Sequence, residues 1–260
     1  QGTASPEGYE LVTVQTDRKA VVVAGGSISG DVYGLYRLWD RLRVHGELRD
    51  LTEKREPALP IRFTRTIARD KEALRKALRL GLNLVFREDP LALVPWNSEP
   101  EKSENAARRA ETRELANYAH ALHLKFVSFG TDFTYHPSLL EECGATLNPA
   151  DPRFWDAVQE KYRRLFAAMP ELDGVCTFTA DEQRYWGDYK TFDLLHDGDG
   201  CDWSLAKRYR TFITKMWDVV VGEHDKLLLK HTWATNMYEQ QAQPDIYRAI
   251  LEWMNFEMRY

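Results

Sequence analysis

The first sixty residues combine two short apolar runs with one helical repeat. Valine-rich segments at 11–14 and 21–23 flank the turn sequence TDRK, a pattern that predicts a β-hairpin. In the next segment, 31–46, apolar residues recur every three or four positions, as they do on one face of a helix. The polar, proline-containing stretch 51–60 predicts a linker. We therefore expect residues 1–50 to form a small, partial α/β domain, too short to bury a good core alone.

After residue 60 the pattern becomes a regular alternation of apolar strands and amphipathic helices. The predicted strands are 61–68, 82–88, 124–130, 174–180 and 226–235, and the helices that follow them are 70–81, 104–123, 151–170, 204–222 and 244–254. This alternation is typical of parallel βα units. No GxGxxG follows any of these strands, which disfavours a dinucleotide-binding sheet. The fold class expected for 61–260 is α/β, a (β/α)8 TIM-type barrel of which about five βα units are present.

A complete barrel of this type takes about 250 residues, more than remain after the linker. We therefore expect the barrel to be incomplete at its C-terminus. The missing units would come from a longer polypeptide or from a second chain that completes the barrel, and a homodimer is a further possibility. The start of the sequence shows no signal peptide, so the compartment, secreted or cytoplasmic, stays open.

Composition narrows the classes of ligand. The formal net charge is −5 without a long basic run, which argues against a nucleic acid partner. No apolar stretch reaches the roughly 18 residues of a membrane span. The three cysteines are widely spaced, and the seven histidines include no HExxH pair, so no metal site and no cofactor are expected. Eight Trp and twelve Tyr either pack in the core or stack on sugar rings.

The residues just after each predicted strand are the candidate site residues, because a barrel collects its active site at the carboxyl ends of its strands. Acidic, basic and aromatic side chains concentrate there. The candidates for substrate binding are Arg65, Arg69, Asp132, His136, Trp186, His231 and Trp233, together with Lys230 inside the fifth strand. Carboxylates and aromatics without a nucleophile motif favour glycosidic chemistry and an oligosaccharide substrate.

Two adjacent carboxylates, Asp181 and Glu182, follow the fourth predicted strand. A glycosidase needs a carboxylic acid that protonates the leaving oxygen. Glu182 is the candidate, because partial burial after an apolar strand would raise its pKa toward the working pH. Asp181 is the second candidate catalytic residue, although neighbours on an extended chain point in opposite directions. The alternative is that both acids lie in a solvated loop or cap the next helix.

The segment TLNPADPRFWDAVQEKYRRLFAAMPELDGVCTFTADEQ resembles the stretch of the family 67 α-glucuronidases that leads into their fourth barrel strand. The positions that keep that family's order are Thr146, Asp151, Pro152, Trp155, Tyr162, Pro170, Asp173 and Gly174. KFVSFGTDF and LLLKHTWAT are similar to the third and fifth strands of the family. The upstream segment is similar to the small α/β domain that precedes the barrel in these enzymes and in the family 20 hexosaminidases. The residues that carry this likeness are Gly30, Tyr33, Gly34 and Leu38.

The resemblance implies α-glucuronidase-like inverting hydrolysis of an oligosaccharide derived from a plant or microbial polysaccharide. It gives Glu182 the role of general acid, and it places the general base on later strands that this chain does not contain. Two features depart from the family pattern. Thr179 stands where the family has a lysine, and Asp181 and Glu182 are adjacent rather than separated by one residue. A cation for a uronate carboxylate would then come from Arg65, Arg69 or Lys230.

Two alternatives remain open. The adjacent Asp181 and Glu182 are also similar to the acid pair of the family 20 β-N-acetylhexosaminidases, in which the aspartate orients the substrate acetamido group that acts as nucleophile and the glutamate is the acid. The sequence TDFTYHP is a poor match to the D-x-P-G-H pattern of that family. The third possibility is a barrel that binds carbohydrate without catalysis.

Overall fold

The computed structural model describes residues 5–46, 50–63, 68–88, 93–97, 101–131, 133–178, 189–192, 194 and 201–231. The predicted helix at 244–254 and six of the predicted site residues lie outside the described residues: Arg65, Asp132, Asp181, Glu182, Trp186 and Trp233. The chain divides into two compact units, 1–85 with 119–125, and 86–118 with 126–260. Because these units are not the predicted domains, the boundaries at 50 and 60 stay a prediction.

The first unit begins with the predicted hairpin. Strands β1 (Tyr9–Gln15) and β2 (Lys19–Gly25) pair antiparallel, with Leu11 opposite Val23. A third strand, β3 (Thr52–Arg55), pairs antiparallel with the other edge of β1, so the sheet order is β2-β1-β3. The sequence predicted a linker at this point, because one Thr followed by three charged side chains carries no apolar strand signal.

Helix α1 (Ile28–His45) packs on this sheet as expected from its helical repeat. The Ser27 hydroxyl accepts from the Ser29 amide at the N-terminus, and Gly46 ends the helix in the left-handed conformation, with φ 71°. A Cβ at Gly34 would lie 2.6 Å from Val23 Cγ1. The helix therefore approaches the strand more closely than a larger residue would permit.

The first elements after the linker follow the predicted order of helix and strand. Asp70 caps α2 (Lys71–Arg79) by accepting from the Ala73 amide, and the helix buries Leu74, Ala77 and Leu78. Strand β4 (Leu84–Glu88) and helix α3 (Glu101–Ala121) come next. Of the strand predicted at 61–68, residues 61–63 and 68 are irregular and 64–67 lie outside the described residues. Arg62 nevertheless accepts hydrogen bonds from the Asn83 and Leu84 amides through its carbonyl oxygen, at 3.0 and 3.3 Å.

A four-stranded sheet of order β4-β5-β7-β9 follows, in which β5 is Lys125–Thr131, β7 is Gly174–Phe178 and β9 is Leu227–His231. Both β5 with β7 and β7 with β9 pair parallel. The crossovers contain α5 (Pro152–Ala168) and α6 (Leu205–Trp217), and α6 continues as a π-helical segment at Asp218–Glu223. The expected mixed α/β fold, with parallel strands and crossover helices as in part of a barrel, is confirmed.

Asp173 joins three strands at their amino ends. Its carboxylate accepts from the Phe126 amide at 2.7 Å, and its own amide donates to the Phe126 carbonyl at 2.9 Å. Its carbonyl accepts from the Leu227 amide at 2.8 Å. One residue before β7 therefore fixes the register of both neighbouring strands.

Three further elements were not predicted. Strands β6 (Phe133–Tyr135) and β8 (Lys190–Phe192) form a two-stranded antiparallel sheet, and helix α4 (Pro137–Cys143) follows β6. Each of these strands is only three residues long, too short for a periodic signal. Among the described helices, none has the length and apolar character needed to cross a bilayer.

Candidate functional site

The carboxyl ends of the parallel strands are in register. Thr131 at the end of β5 pairs with Phe178 at the end of β7, and Phe178 pairs with His231 at the end of β9. The predicted catalytic pair, Asp181 and Glu182, comes three and four positions after Phe178 in the sequence. Segments that leave these strands therefore start from one edge of the sheet, where α/β proteins bind their ligands.

The two faces of the sheet differ in chemistry. On one face Phe129 stacks on Phe86, with ring centroids 4.7 Å apart. On the other face Ser128 and Thr177 line a cavity of about 10 Å³ together with Lys161 of α5, which is room for about one water molecule. The hydroxyl oxygens of Ser128 and Thr177 are buried without a hydrogen-bond partner in the protein. This face therefore places two buried hydroxyls and a buried lysine among apolar side chains where the sheet packs on α5.

Three rings from separate segments meet in the second unit. Trp96 follows β4, His136 follows β6, and Tyr189 immediately precedes β8. The His136 ring lies 6.3 Å from the Trp96 ring and 5.9 Å from the Tyr189 ring, and the Trp96 and Tyr189 centroids are 5.9 Å apart. Trp96 is buried, whereas His136 and Tyr189 are half-buried. We call these three residues the aromatic cluster.

The pairing of β6 with β8 brings the aromatic cluster together. Strand β6 lies on the segment after β5, and β8 lies on the segment after β7. The Thr134 and Thr191 hydroxyls hydrogen-bond across the pair at 3.1 Å, and Phe133 lies opposite Phe192. The two segments that leave the carboxyl edge are thereby fixed to each other.

Hydrogen bonding orients the His136 ring. Its Nδ1 accepts from the Ser138 amide at 3.2 Å, at the N-terminus of α4, and lies 2.9 Å from the Ser138 hydroxyl. In the neutral ring the proton therefore resides on Nε2, which makes Nε2 a donor. The half-buried tyrosine and the oriented imidazole, packed against the buried tryptophan, combine an aromatic surface with a hydrogen-bond donor, which suits a sugar ring.

Helix α3 contributes two residues that the sequence analysis missed. The buried Asn105 side chain donates a 3.1 Å hydrogen bond to the Tyr189 hydroxyl. Arg109, one turn further along α3, interacts electrostatically with Tyr189, and its Nη1 is buried without a hydrogen-bond partner. Burial, and next the charge of Arg113, lowers the pKa of Arg109. Both residues lie in a helix rather than after a strand, so only their spacing of four could have indicated them.

The other predicted substrate-binding residues occupy different surroundings. Arg69 is exposed, next to the capping residue Asp70 in the first unit. Lys230 lies in β9 with its Nζ 5.3 Å from the Tyr209 ring centroid and 5.9 Å from that of Phe212, both on α6. His231 is the last residue of β9. Of the predicted residues that the structure describes, only His136 lies in the aromatic cluster, and the binding roles stay predictions.

Metal coordination has no candidate in the part of the chain that the structure describes, since no three His, Cys, Asp or Glu side chains converge there. The described chemistry of the carboxyl edge consists of aromatic rings, an imidazole, an amide and a guanidinium. Groups of these kinds are able to bind and orient a ligand, whereas proton transfer to a glycosidic oxygen would require a carboxylic acid.

Comparison with known proteins identifies the fold but no family. No family model and no curated protein matches the chain. A GH138 enzyme described as targeting pectin rhamnogalacturonan II aligns with a TM-score of 0.51 at 14% identity, over 67% of this chain and 24% of that chain. A β-N-acetylhexosaminidase aligns with a TM-score of 0.51 at 14% identity, over 88% of this chain and 58% of that chain.

A family 20 β-N-acetylglucosaminidase gives a TM-score of 0.55 at 15% identity, over 88% of this chain and 55% of that chain. This chain therefore spans between a quarter and three fifths of the length of these enzymes. At such identities the likeness establishes the fold alone, a mixed α/β fold consistent with part of a barrel. It does not single out family 67, the family that the sequence motifs resemble.

Proposed function

We propose that this chain belongs to a glycoside hydrolase in which Glu182 is the general acid. The observation that carries the proposal is the position of the Asp181–Glu182 pair, directly beyond a parallel strand whose carboxyl end is in register with its neighbours. The fold shared with three glycosidases supports the same class. A positioned general acid accelerates glycosidic cleavage by about 10²–10⁴.

Substrate-assisted hydrolysis of a β-N-acetylhexosaminide is the first mechanism that we propose. Two of the structural neighbours are enzymes of this activity, and each aligns with 88% of this chain. In this mechanism the acetamido oxygen of the substrate attacks the anomeric carbon while Glu182 donates its proton to the leaving oxygen. Asp181 would orient the acetamido group. No second catalytic carboxylate is needed, which agrees with two acids that are adjacent in sequence.

Inverting hydrolysis of an α-glucuronide is the second mechanism. Its support is the motif resemblance over residues 146–174 and the cation candidates Arg65, Arg69 and Lys230. An inverting enzyme also holds a second carboxylate about 6.5–9.5 Å from the acid, so that a water fits between them. The contact of Lys230 with the rings of α6 gives this residue a packing role that competes with binding a uronate.

The aromatic cluster of Trp96, His136 and Tyr189 is the sugar platform in this proposal. The two half-buried rings, those of His136 and Tyr189, would contact a pyranoside with a face or an edge. His136 Nε2 would donate a hydrogen bond to one of its hydroxyls. The substrate in this proposal is therefore an oligosaccharide, one ring of which contacts the residues beside β6 and β8. Binding by Asp132, Trp186, His231 and Trp233 is part of the same proposal.

The deciding experiment compares aryl glycosides. The protein is incubated with aryl 2-acetamido-2-deoxy-β-glucoside, with the β-glucoside that lacks the acetamido group, and with an aldobiouronic acid, and the product anomer is followed by NMR. Cleavage of the first substrate only, with retention, supports the substrate-assisted mechanism. Cleavage of the uronic acid with inversion supports the second mechanism. Binding without cleavage of any substrate would refute catalysis and leave a carbohydrate-binding barrel.

A further inference from the structure

A groove of about 270 Å³ lies within the first unit. Its walls come from β1, α1, the residues after β3 and the end of α2. Three tyrosines, Tyr9, Tyr33 and Tyr36, line it together with four arginines and three carboxylates. The volume is just below the roughly 300–1,000 Å³ of sites for drug-sized ligands, so the groove suits a short ligand.

The floor of the groove is a fixed polar network. Arg62 Nη1 donates to Glu7 Oε2 at 2.9 Å, and Arg62 Nε donates to the Gly81 carbonyl at 2.8 Å. The side-chain amide of Asn83 donates to both carboxylate oxygens of Glu7, at 3.1 and 3.2 Å. The Tyr33 hydroxyl donates to the Leu82 carbonyl at 3.1 Å. A floor with this many internal bonds is ordered before any ligand arrives, which lowers the entropic cost of binding.

Two of the arginines that line the groove, Arg37 and Arg55, bind the carboxylate of Glu53, a residue outside the lining. Glu53 accepts from Arg37 Nε at 3.0 Å, from Arg41 Nη2 at 2.7 Å and from Arg55 Nε at 2.9 Å. Three arginines therefore share one carboxylate, and Arg37 and Arg55 reach it through Nε, so the terminal nitrogens of both are not used in this contact. Because a guanidinium presents five donors in a planar fork, Arg37 and Arg55 can still bind a second carboxylate.

The tyrosines provide a stacking surface with neutral hydroxyls. Burial, and next the Glu53 carboxylate, raises the pKa of Tyr9, while burial and next the Glu7 carboxylate raise the pKa of Tyr33. Both phenols therefore stay protonated at neutral pH. Tyr36 is half-buried on α1, one position before Arg37. Flat rings beside fixed polar groups match the apolar face and the hydroxyl rim of a sugar.

We propose that this groove is a binding site for a short acidic carbohydrate, an oligosaccharide whose uronate carboxylate is held by Arg37 and Arg55 while a sugar ring stacks on Tyr36. The groove belongs to the first unit and Glu182 to the second, and the groove would hold an acidic oligosaccharide without cleaving it. Arg79, paired with Asp40 at 2.7 Å, closes the far side of the groove.

The test is titration of the full chain with trigalacturonic acid, by calorimetry and by amide NMR. We expect shifts of the Tyr36, Arg37 and Arg55 amides, and an affinity that falls as salt is added. Arg55→Gln and Tyr36→Ala should each weaken binding about tenfold. Arg55 is 60% exposed at its side chain, so its replacement should leave the fold intact, which far-UV circular dichroism would verify. Arg18→Gln, an exposed arginine at the β1–β2 turn, is the matched control and should bind as the unmodified chain does.

Three results would overturn the proposal. The first is that cellotriose, a neutral trisaccharide without the carboxylate, binds as tightly as trigalacturonic acid. The second is that a triglutamate peptide, which has carboxylates but no sugar ring, binds as tightly. The third is binding that Arg55→Gln and Tyr36→Ala leave unchanged. Glu182→Gln should not alter these shifts, so a failure of the proposed hydrolysis and a failure of the groove are separate outcomes.

Discussion

The Asn105 side chain donates a 3.1 Å hydrogen bond to the Tyr189 hydroxyl and so links the first turns of α3 to the residue before β8. Asn105 is only 6% exposed, so its amide has little access to water as a substitute partner. The bond therefore fixes one ring of the aromatic cluster from a helix that contributes no ring to that cluster. A sugar site depends on how its rings are positioned and oriented rather than on how many rings it has.

A double-mutant cycle would measure this bond. Tyr189→Phe leaves a buried amide without its acceptor and should lower the free energy of unfolding by about 1–3 kcal/mol. Asn105→Ala should cost a similar amount, and the double variant should cost less than the sum by about 1 kcal/mol. Urea unfolding of the four proteins gives these values. Strict additivity would show that the two groups do not interact in solution.

The half-buried Arg109 predicts the opposite effect, a gain in stability when its charge is removed. Its Nη1 is buried without a hydrogen-bond partner, and burial lowers its pKa. Arg109→Met keeps the apolar stem and removes the desolvated charge, so we expect the free energy of unfolding to rise by about 0.5–1 kcal/mol.

Arg113 is the matched control for this substitution. Its Nε donates to Glu171 at 2.7 Å and its Nη2 to the Ala168 carbonyl at 2.9 Å. Arg113→Met should therefore lower the free energy of unfolding by about 1 kcal/mol. If Arg109→Met lowers the free energy of unfolding as much as Arg113→Met does, Arg109 must make hydrogen bonds in solution that are as strong as those of Arg113.

The order of the elements could be predicted from sequence because long amphipathic helices and valine-rich or leucine-rich strands have a strong periodic signal. Helix α5, with Asp151 as cap and Pro152 at its first position, matched the prediction to within two residues. Strand β3 did not match the prediction. Its residues are Thr, Glu, Lys and Arg, and the strand is stabilised by pairing with β1 rather than by burial of apolar side chains. The pairing of β6 with β8 depends on residues that are 57 positions apart, such as Thr134 and Thr191, and no local pattern encodes such contacts.

The candidate site was less predictable than the fold. The rule that site residues follow strands selected His136, which lies in the aromatic cluster, but it also selected Lys230, whose side chain contacts α6. Alternation along a strand reverses the face at each residue, so sequence could not decide which face Lys230 occupies without a known register. Asn105 was missed because its role depends on where α3 begins relative to Tyr189.

A pair of glycines tests the packing of β7 against β9. A Cβ at Gly174 would lie 2.7 Å from Leu227 Cβ and would also clash with the Leu227 backbone, so Gly174→Ala should cost more than about 2 kcal/mol of unfolding free energy. At Gly222, in the π-helical segment, the nearest atom to such a Cβ is 3.9 Å away. Gly222→Ala should be neutral or stabilising by up to about 1 kcal/mol. Thermal and urea unfolding would compare the two, and equal effects would contradict the packing.

Glu53 makes the stability of the first unit sensitive to acid. Burial acts to raise its pKa, but hydrogen bonds from Arg55, Arg41 and Arg37 outweigh it and lower the pKa to about 2. A lowered carboxyl pKa stabilises the folded state above the unfolded value of about 4.5, and this contribution is lost as the pH falls from about 5 toward 2.

Glu53→Gln should therefore lower the free energy of unfolding by about 1 kcal/mol at pH 7, a value reduced for the half-exposed arginines. The variant should also flatten the pH dependence of stability below about pH 5. Urea unfolding between about pH 3 and pH 7 is the measurement, with the exposed Glu56→Gln as control. A slope in Glu53→Gln as steep as in the unmodified chain would assign the acid sensitivity to other carboxylates.

The division of labour between Asp181 and Glu182 predicts different kinetic defects. If Glu182 donates the proton to the leaving oxygen, Glu182→Gln should lower kcat by about 10²–10⁴, and less for an aryl leaving group that departs without protonation. Asp181→Asn should lower kcat for an acetamido substrate and have little effect on the protonation of the leaving group. The ratio of rates for nitrophenyl and sugar leaving groups, measured for each variant, separates the two roles. Asp156→Asn, an exposed carboxylate on α5, is the control and should keep full activity. Full activity of Glu182→Gln on a sugar leaving group would exclude it as the acid.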